Sequence, residues 1–128
     1  MRLCFQNVHG AHPRTALDKW MEATSNIDEL HIGVIGLSEI NTNMNIDANF
    51  AGLRRGIQSR WKNMKITGGS CSGENIESHF QGGTHLAASA GYENRVRESK
   101  PKPQHMGYFS YMEMEGKGDA KLLIISCY

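Results

Sequence analysis

An uninterrupted apolar run at residues 32–37, IGVIGL, most constrains the fold of this chain. In an extended segment its side chains point to both faces, which predicts a central strand that is buried on both sides. The carboxylate of Glu39 follows directly, and a charge at such a position is costly unless it has a partner. A strand of this kind needs cover on both faces of its sheet, and the role of Glu39 at its end has to be explained.

Composition narrows the range of functions only a little. The chain has 128 residues, 39% of them hydrophobic, and a formal net charge of +1, which predicts one domain over 1–128 and gives no nucleic-acid or membrane signal by itself. Three cysteines without a CxxC pair argue against a disulfide scaffold and a zinc knuckle. With no long apolar span and no signal peptide, we expect a nuclear or cytoplasmic protein that is not secreted.

Hydrophobic periodicity predicts the order of helices and strands in the first half. Residues 2–8 alternate as a strand, residues 14–25 carry a helical stripe, and residues 31–39 form the buried strand. This order predicts a βαβ unit whose two strands are parallel neighbours. A second helix is predicted over 47–61, with Asp47 as its cap.

The second half is predicted to contain mainly strands and turns. Short strands are expected at 63–68 and 84–90, with a polar, glycine-rich loop between them. A basic, proline-containing segment at 95–104 follows. Clean alternation over 108–128, interrupted by a turn at 116–119, predicts a β-hairpin.

Several individual side chains carry expectations of their own. Cys4 and Cys127 stand in apolar, strand-like runs and are expected in the core. Met112 and Met114 alternate with glutamates, which predicts a hairpin with one buried face. His85, on a predicted strand, is expected to be a hydrogen-bonded sheet residue rather than a catalytic base.

The ends of two predicted strands supply the candidate chemistry. Asn7 closes the first strand and Glu39 the second, and in a right-handed βαβ unit both carboxyl ends open on one edge of the sheet. Carboxylate and amide oxygens are hard ligands that suit Mg²⁺ better than Zn²⁺ or copper. We therefore predict that Glu39 binds a divalent cation and that Asn7 orients the ion or a substrate phosphate. The alternatives are an ordinary solvated carboxylate or the cap of a helix.

Polar residues near this edge allow two interpretations each. Asn41 and Asn43 would contact substrate phosphate or base edges in a nuclease, which makes Asn41 a candidate substrate-binding residue, and turn formation explains both asparagines equally well. His9 and His12 have no carboxylate or cysteine near them in sequence. Exposed loop histidines are therefore favoured over a metal site.

Two local basic clusters stand out in the nearly neutral chain. They are candidates for phosphate contacts, and an ordinary solvated surface is the alternative. The first cluster comprises Arg54, Arg55, Arg60 and Lys62, and the second Arg95, Arg97, Lys100 and Lys102.

Four short motifs, in this order, resemble the endonuclease/exonuclease/phosphatase superfamily. FQNVHG at 5–10 is similar to its opening motif, a strand that ends in Asn, two residues and Gly. IGLSE at 35–39 is similar to its second motif, QGGTHLAAS at 81–89 to its Gly-Gly strand, and the sequence at 106–128 to its hairpin with a terminal tyrosine. The resemblance is greatest to the endonuclease domain that precedes the reverse transcriptase of non-LTR retrotransposons.

This resemblance implies an activity and catalytic residues. It assigns Glu39 to a catalytic Mg²⁺ (with Mn²⁺ as the alternative ion), Asn7 to the metal and phosphate site, and Tyr128 to the scissile phosphate. The implied reaction is metal-assisted hydrolysis of DNA phosphodiesters. One alternative is a phosphatase of the same superfamily that acts on a phosphorylated small molecule or lipid. Another is a non-catalytic, degenerate remnant.

The resemblance also implies a fold, a four-layer α/β sandwich, of which this chain would hold the N-terminal half: one mixed β-sheet with helices on one face. The family's second half supplies an Asp-x-Asn motif, a further aspartate and an Asp-His pair, and none of these can be assigned here. We therefore expect a truncated domain with one apolar sheet face left open and little nuclease activity alone. Expected partners are DNA and, in a full-length protein, a second half or a reverse transcriptase domain, but no membrane.

Overall fold

The computed structural model describes residues 1–10, 29–43, 46–59, 61–69, 82–89, 91–98 and 108–128. Within these ranges the chain forms seven strands, one α-helix and one short 3-10 helix. The strands are β1 (Arg2–Asn7), β2 (Ile32–Ser38), β3 (Lys65–Gly69), β4 (Thr84–Ala88), β5 (Val96–Glu98), β6 (Phe109–Glu115) and β7 (Lys121–Cys127). The α-helix is α1 (Asp47–Gln58), and the 3-10 helix spans Glu93–Arg95. The helix predicted over 14–25 lies outside the described residues.

The first sheet has the strand order β1-β2-β4-β3. β1 pairs with β2 in parallel, whereas β4 runs antiparallel to both of its neighbours, β2 and β3. The predicted parallel pairing of the first two strands is therefore confirmed. β2 lies inside the sheet, and every residue from Ile32 to Leu37 is buried, as the apolar run predicted.

The second sheet is antiparallel and has the order β5-β6-β7. The predicted hairpin is present as β6 and β7. The alternating residues of β6 differ in burial as predicted. Met112 and Met114 are at most 2% exposed, while Glu113 and Glu115 point to the other face. On β7, Ile124 is buried and Ile125 is exposed.

Two different layers cover the two faces of the first sheet. On one face, Ile35 and Leu37 pack against Leu53 and Ile57 of α1. On the other face, residues of β2 and β4 pack against the inner side of β6 and β7, in a cluster formed by Val34, Leu86, Ala88, Val96, Met112, Met114 and Ile124. The described residues thus form three layers in the order helix, sheet, sheet. No helix among them is long and apolar enough to cross a membrane.

This arrangement keeps the predicted α/β class and corrects its details. The chain was expected to hold one mixed sheet with an apolar face open to water, and that expectation is wrong, because β5, β6 and β7 form a second sheet that covers the face. The physical reason is that an alternating hairpin has an apolar face of its own. Packing it against the first sheet buries both apolar faces at once.

Several local predictions also need correction. Ile46, not Asp47, occupies the N-cap of α1, without a side-chain cap, and the helix ends at Gln58 rather than at 61. Strand β5 lies within the segment that was expected to be only a basic connection. Cys127 is exposed and Cys4 is only partly buried, so neither is a fully buried core residue.

Two glycines in β2 leave room for aromatic rings on the face of the sheet. A Cβ atom built on Gly36 would lie 2.4 Å from the ring of Phe5, and one built on Gly33 would lie 2.4 Å from the ring of Tyr92. Any larger residue at either position would displace a ring. These glycines therefore fix how β1 and the segment after β4 lie against the central strand.

Exposed apolar side chains concentrate at β1 and β7, two of the four strands that pair with only one described neighbour. Of the ten large hydrophobic residues that are exposed in the described ranges, seven lie in or next to β1 and β7. They are Met1, Leu3, Phe5, Leu122, Leu123, Ile125 and Tyr128. We expected an exposed apolar surface over a whole sheet face. The exposed apolar side chains lie mainly on β1 and β7 instead.

Adjacent isoleucines on β7 test the packing of the two sheets. We expect Ile124→Ala to lower the free energy of unfolding by about 2–5 kcal/mol, because the side chain is 4% exposed and its loss leaves a cavity between the sheets. Ile125→Ala, at 48% exposure, is the matched control and should cost much less. Urea unfolding monitored by circular dichroism measures both. Equal losses would contradict the assignment of the inner face.

Candidate functional site

The carboxyl ends of β1 and β2 lie side by side. Asn7 pairs in register with Ser38, the last residue of β2. Backbone pairing continues past both strands, because the Val8 N–H donates to the Ser38 carbonyl at 3.0 Å and the Gly10 N–H donates to the Glu39 carbonyl at 2.7 Å. The loop after β1 therefore runs along Glu39.

The start of β4 holds the chain after Glu39 from the other side. The Ile40 N–H donates to the Gly83 carbonyl at 3.3 Å, and the Asn41 N–H donates to the Gly82 carbonyl at 2.8 Å. In return, the Gly82 N–H donates to the side-chain oxygen of Asn41 at 2.8 Å. Glu39 is thus fixed between two backbone segments that are remote in sequence.

Left-handed backbone conformation is concentrated at this edge of the sheet. Four described residues other than glycine have positive φ angles, and three of them are here: His9 at 44°, Glu39 at 53° and Asn41 at 51°. Asparagine tolerates this region, but histidine and glutamate adopt it at a cost in free energy. Such strain persists only where the surrounding contacts impose it, and it is enriched at functional sites.

Three polar side chains surround the Glu39 carboxylate. His9 Nδ1 lies 2.7 Å from Glu39 Oε2, and the amide of Asn7 and the hydroxyl of Tyr128 act on the pKa of Glu39 as further donors. The Glu39 side chain keeps 19% of its surface exposed. The partner that the sequence required for Glu39 is therefore a set of three donors from separate parts of the chain.

The orientation of Asn7 follows from its backbone neighbour. The His9 N–H donates to Asn7 Oδ1 at 3.0 Å, so the amide nitrogen of Asn7 is the atom that donates to Glu39. In this arrangement Asn7 orients the carboxylate, and its oxygen retains one lone pair.

These contacts determine the electrostatics of the site. The Asn7 amide above all, with further contributions from His9 and Tyr128, holds the pKa of Glu39 below its ordinary value and outweighs desolvation. The negative charge of Glu39 in turn raises the pKa of Tyr128, and desolvation acts in the same direction. Glu39 is therefore ionised and Tyr128 is protonated at neutral pH. In these states Glu39 can bind a cation and Tyr128 can donate a hydrogen bond.

The donor set is suitable for a small divalent cation that keeps most of its water. In the described part of the chain no group of three or more His, Cys, Asp or Glu residues gathers as a metal cage. Mg²⁺ does not require one, because it is commonly bound through one or two carboxylates and several waters. Three donors occupy three of the roughly four lone-pair positions of a carboxylate, which leaves Glu39 able to accept an ion.

The structure gathers the three residues to which a catalytic role was assigned and separates others. Asn7, Glu39 and Tyr128 share one hydrogen-bond network. Asn41 lies next to it, with its side-chain oxygen bonded to the Gly82 N–H 41 residues away, and its positive φ of 51° fits the turn interpretation. Asn43 is 3% exposed, which favours a structural role over substrate contact for that residue.

His9 is the residue that the sequence interpretation missed. It was expected to be an unpartnered loop histidine, and the expectation of an exposed side chain is confirmed at 81%. The absence of a carboxylate near it in sequence was misleading, because Glu39 comes from the neighbouring strand. The signal that could have revealed the pair is the parallel pairing itself, which sets the loop after Asn7 against the residue after Ser38. His12 lies outside the described residues.

The basic clusters are only partly available for phosphate. Arg97 pairs with Glu115, and the guanidinium of Arg95 lies 5.6 Å from the centre of the Tyr92 ring. Arg54 and Arg55 are exposed on α1. Arg60, Lys100 and Lys102 lie outside the described residues, whereas Lys62 is described and exposed.

His85 is buried on the helix-facing side of β4. Its ring centre lies 6.4 Å from that of Phe50, and its Nδ1 has no hydrogen-bond partner among the described groups. His85 is thus a buried sheet residue, as expected, although within the described residues its Nδ1 lacks the hydrogen-bond partner that was also expected. Burial lowers the pKa of His85 to about 4, although a hydrogen bond with the Thr84 backbone acts in the opposite direction. The ring is consequently neutral and structural rather than a base at the site.

An apolar pocket of about 180 Å³ lies near the start of β1, at the other end of that strand from Asn7. Met1, Tyr92, Met114 and Leu122 line much of it. Arg95 and Glu115 also line it, but Arg95 lies over the Tyr92 ring and Glu115 pairs with Arg97, so the Glu39 network remains the candidate site.

Comparison with known proteins adds no assignment. No protein-family model matches the chain, and no curated protein is significantly similar to it in sequence. Any functional conclusion must therefore come from the motifs and from the geometry around Glu39.

The pKa of Glu39 tests the hydrogen-bond network. We expect its carboxyl to titrate below 4.5 and Asn7→Ala to raise that pKa, because the amide of Asn7 is the leading group that favours the ionised form. The contribution of Glu39 to stability is then complete above its ordinary pKa and is lost as the pH falls through the lowered pKa of the folded state. Carbon-detected NMR titration measures the shift, with Gln6→Ala on the same strand as the control. An unchanged pKa in Asn7→Ala would contradict the network.

The buried imidazole of His85 predicts a separate pH dependence of stability. Between its ordinary pKa of 6.5 and its folded-state pKa of about 4, the unfolded chain binds a proton that the folded chain does not. The free energy of unfolding should therefore fall with decreasing pH across this interval, by roughly 3 kcal/mol in total. His85→Leu should flatten the dependence and His31→Leu, at an exposed position, should not. Urea unfolding at pH 7, 6 and 5 measures the slopes, and equal slopes for wild type and His85→Leu would refute the explanation.

Proposed function

We propose that this chain carries part of the active site of a Mg²⁺-dependent phosphodiester hydrolase that acts on DNA. The enzyme class is that of the endonuclease domains whose motifs the sequence resembles, those of non-LTR retrotransposons. The helix, the first sheet and the second sheet would then be three of the layers of a four-layer α/β sandwich.

The proposal is supported chiefly by one observation, the convergence of Asn7, Glu39 and Tyr128 in a single hydrogen-bond network. Each residue comes from a different motif, at the ends of β1, β2 and β7. Motif similarity by itself does not require these side chains to meet. Their contact at the carboxyl ends of strands is what a shared catalytic site needs.

The alternative of an ordinary solvated carboxylate accounts poorly for the local geometry. A surface glutamate needs neither a left-handed backbone nor three side-chain donors, and Glu39 has both. A helix cap is also excluded for Glu39, because α1 begins several residues later and Ile46 is at its N-cap. Holding one carboxylate ionised and oriented is the feature that these contacts have in common.

Each residue then has a distinct role. Glu39 would hold the cation, and Asn7 would keep the carboxylate oriented by donating to it. Tyr128, 57% exposed, would turn its one O–H donor from Glu39 to a phosphate oxygen when substrate binds. When bound, Mg²⁺ would supply positive charge against the developing oxyanion and lower the pKa of a water molecule.

Cation binding is the first test. We expect Mg²⁺ titration, followed by calorimetry and by the backbone amide signals of residues 7–10 and 39–41, to show one site that Glu39→Gln abolishes. Glu29→Gln is the control: it also removes one negative charge, but Glu29 precedes β2, at the end of the strand opposite to Glu39. It should leave binding unchanged. Equal Mg²⁺ binding by Glu39→Gln and wild type would overturn the proposal. Absence of binding in wild type would favour the degenerate remnant.

Substrate class is the second test. Labelled duplex DNA should bind more tightly in Mg²⁺ than in EDTA, and Glu39→Gln and Tyr128→Phe should reduce the difference. Turnover of an inositol phosphate without DNA binding would favour the phosphatase alternative instead. Plasmid nicking by this chain alone should stay near background, because only part of the family's catalytic set can be assigned to it. Strong nicking that Glu39→Gln abolishes would contradict that last expectation.

A further inference from the structure

His9 lies at the candidate site, although no motif assigns a role to it. Its imidazole approaches the carboxylate of Glu39, with Nδ1 2.7 Å from Oε2, and 81% of its side chain is exposed. Its backbone is in the left-handed region, at a φ of 44°, and its N–H holds Asn7 Oδ1. The same residue therefore contacts both side chains that the proposed function places around the ion.

The distance between the two atoms fits shared coordination. Adjacent ligands of an octahedral ion with bonds of about 2.1 Å lie about 3 Å apart, the diagonal of two perpendicular bonds. The observed separation of 2.7 Å is only a few tenths of an ångström shorter. An ion beside the line that joins Nδ1 and Oε2 could therefore bind both atoms, once Nδ1 has lost its proton and the imidazole has turned its lone pair towards the ion.

We propose that His9 is a ligand of the cation at Glu39 and that its imidazole makes the site prefer first-row transition ions, such as Mn²⁺, to Mg²⁺. This inference rests on the proposed function, because both need an ion on Glu39. The chemical reason is that Mg²⁺ takes oxygen ligands almost exclusively, whereas imidazole is a good ligand for transition ions. The ligand is the neutral imidazole: Nδ1 gives up its proton to solvent and binds the ion through its lone pair, while Nε2 carries the one ring proton.

A simpler role for His9 is to orient Glu39 through a hydrogen bond. The two roles differ in what they predict for different ions, because an orienting bond supports Mg²⁺ and Mn²⁺ alike. His9→Gln separates them, since glutamine provides an N–H donor for Glu39 but no imidazole. His31→Gln is the matched control, because His31 is also an exposed histidine with a positive φ of 52°, and it precedes β2 instead of following β1.

The test compares Mn²⁺ and Mg²⁺ affinities of wild type, His9→Gln and His31→Gln. Mn²⁺ is measured from the free-ion electron paramagnetic resonance signal, and Mg²⁺ by calorimetry. We expect His9→Gln to weaken Mn²⁺ binding by about tenfold or more and to change Mg²⁺ binding little, with no effect of His31→Gln. Trace Mn²⁺ should also broaden the ring signals of His9 and not those of His31.

Other outcomes would overturn the inference. Equal losses for both ions would make His9 only an orienting residue, and tighter binding of both ions in His9→Gln would make it a competitor of the ion. Unchanged affinities would remove any role in binding. In these three cases Glu39→Gln still abolishes binding and the proposed function stands. Absence of binding of both ions to wild type would overturn both proposals.

Discussion

The parallel pairing of β1 with β2 is the interaction on which the rest of the structure depends. Its register sets Asn7 opposite Ser38, and the same ladder continues to Val8 and Gly10. A slip of one residue would turn Asn7 to the other face of the sheet. The ladder beyond the strand ends opposes such a slip, because the bonds of the Val8 and Gly10 N–H groups to Ser38 and Glu39 would be lost. The site is therefore positioned by the pairing of the two strands.

At Glu39, the free-energy cost of a strained backbone is combined with an ordered set of hydrogen-bond donors around its carboxylate. Glu39 leaves the strand in a left-handed conformation and is bonded to donors from β1, from the loop after it and from the end of β7. Hydrogen bonds to the charged form stabilise it and orient it at the same time. The buried histidine, His85, lacks such partners and remains neutral. Glu39 is thus charged because donors surround it, whereas His85 is neutral because it is buried without enough hydrogen-bond partners in the described part of the chain.

The two sheets explain why a short chain can bury so apolar a strand. α1 covers one face of β2, and the hairpin of β6 and β7 covers the other. Each fully buried aliphatic side chain contributes about 1.5–3 kcal/mol, so the layer between the sheets is a large part of the core. Most of the remaining exposed apolar residues lie along β1 and β7, two of the strands that pair on one side only within the described ranges. Tyr128, at the end of one of these edges, belongs to the candidate site as well.

The sequence by itself determined the local elements and the strand ends that carry chemistry. The apolar run of β2, the alternation of the hairpin and the position of Asn7 and Glu39 after two strands follow from side-chain period and from the geometry of a βαβ unit. Tertiary structure decided what lies far apart in the chain. The alternation pattern of the hairpin is the same whether the hairpin extends the first sheet or packs against its face. The sequence therefore could not decide between these two arrangements. Only folding brings His9 to Glu39 and leaves His85 without a partner for Nδ1, because hydrogen bonds between remote segments leave no periodic trace in the sequence.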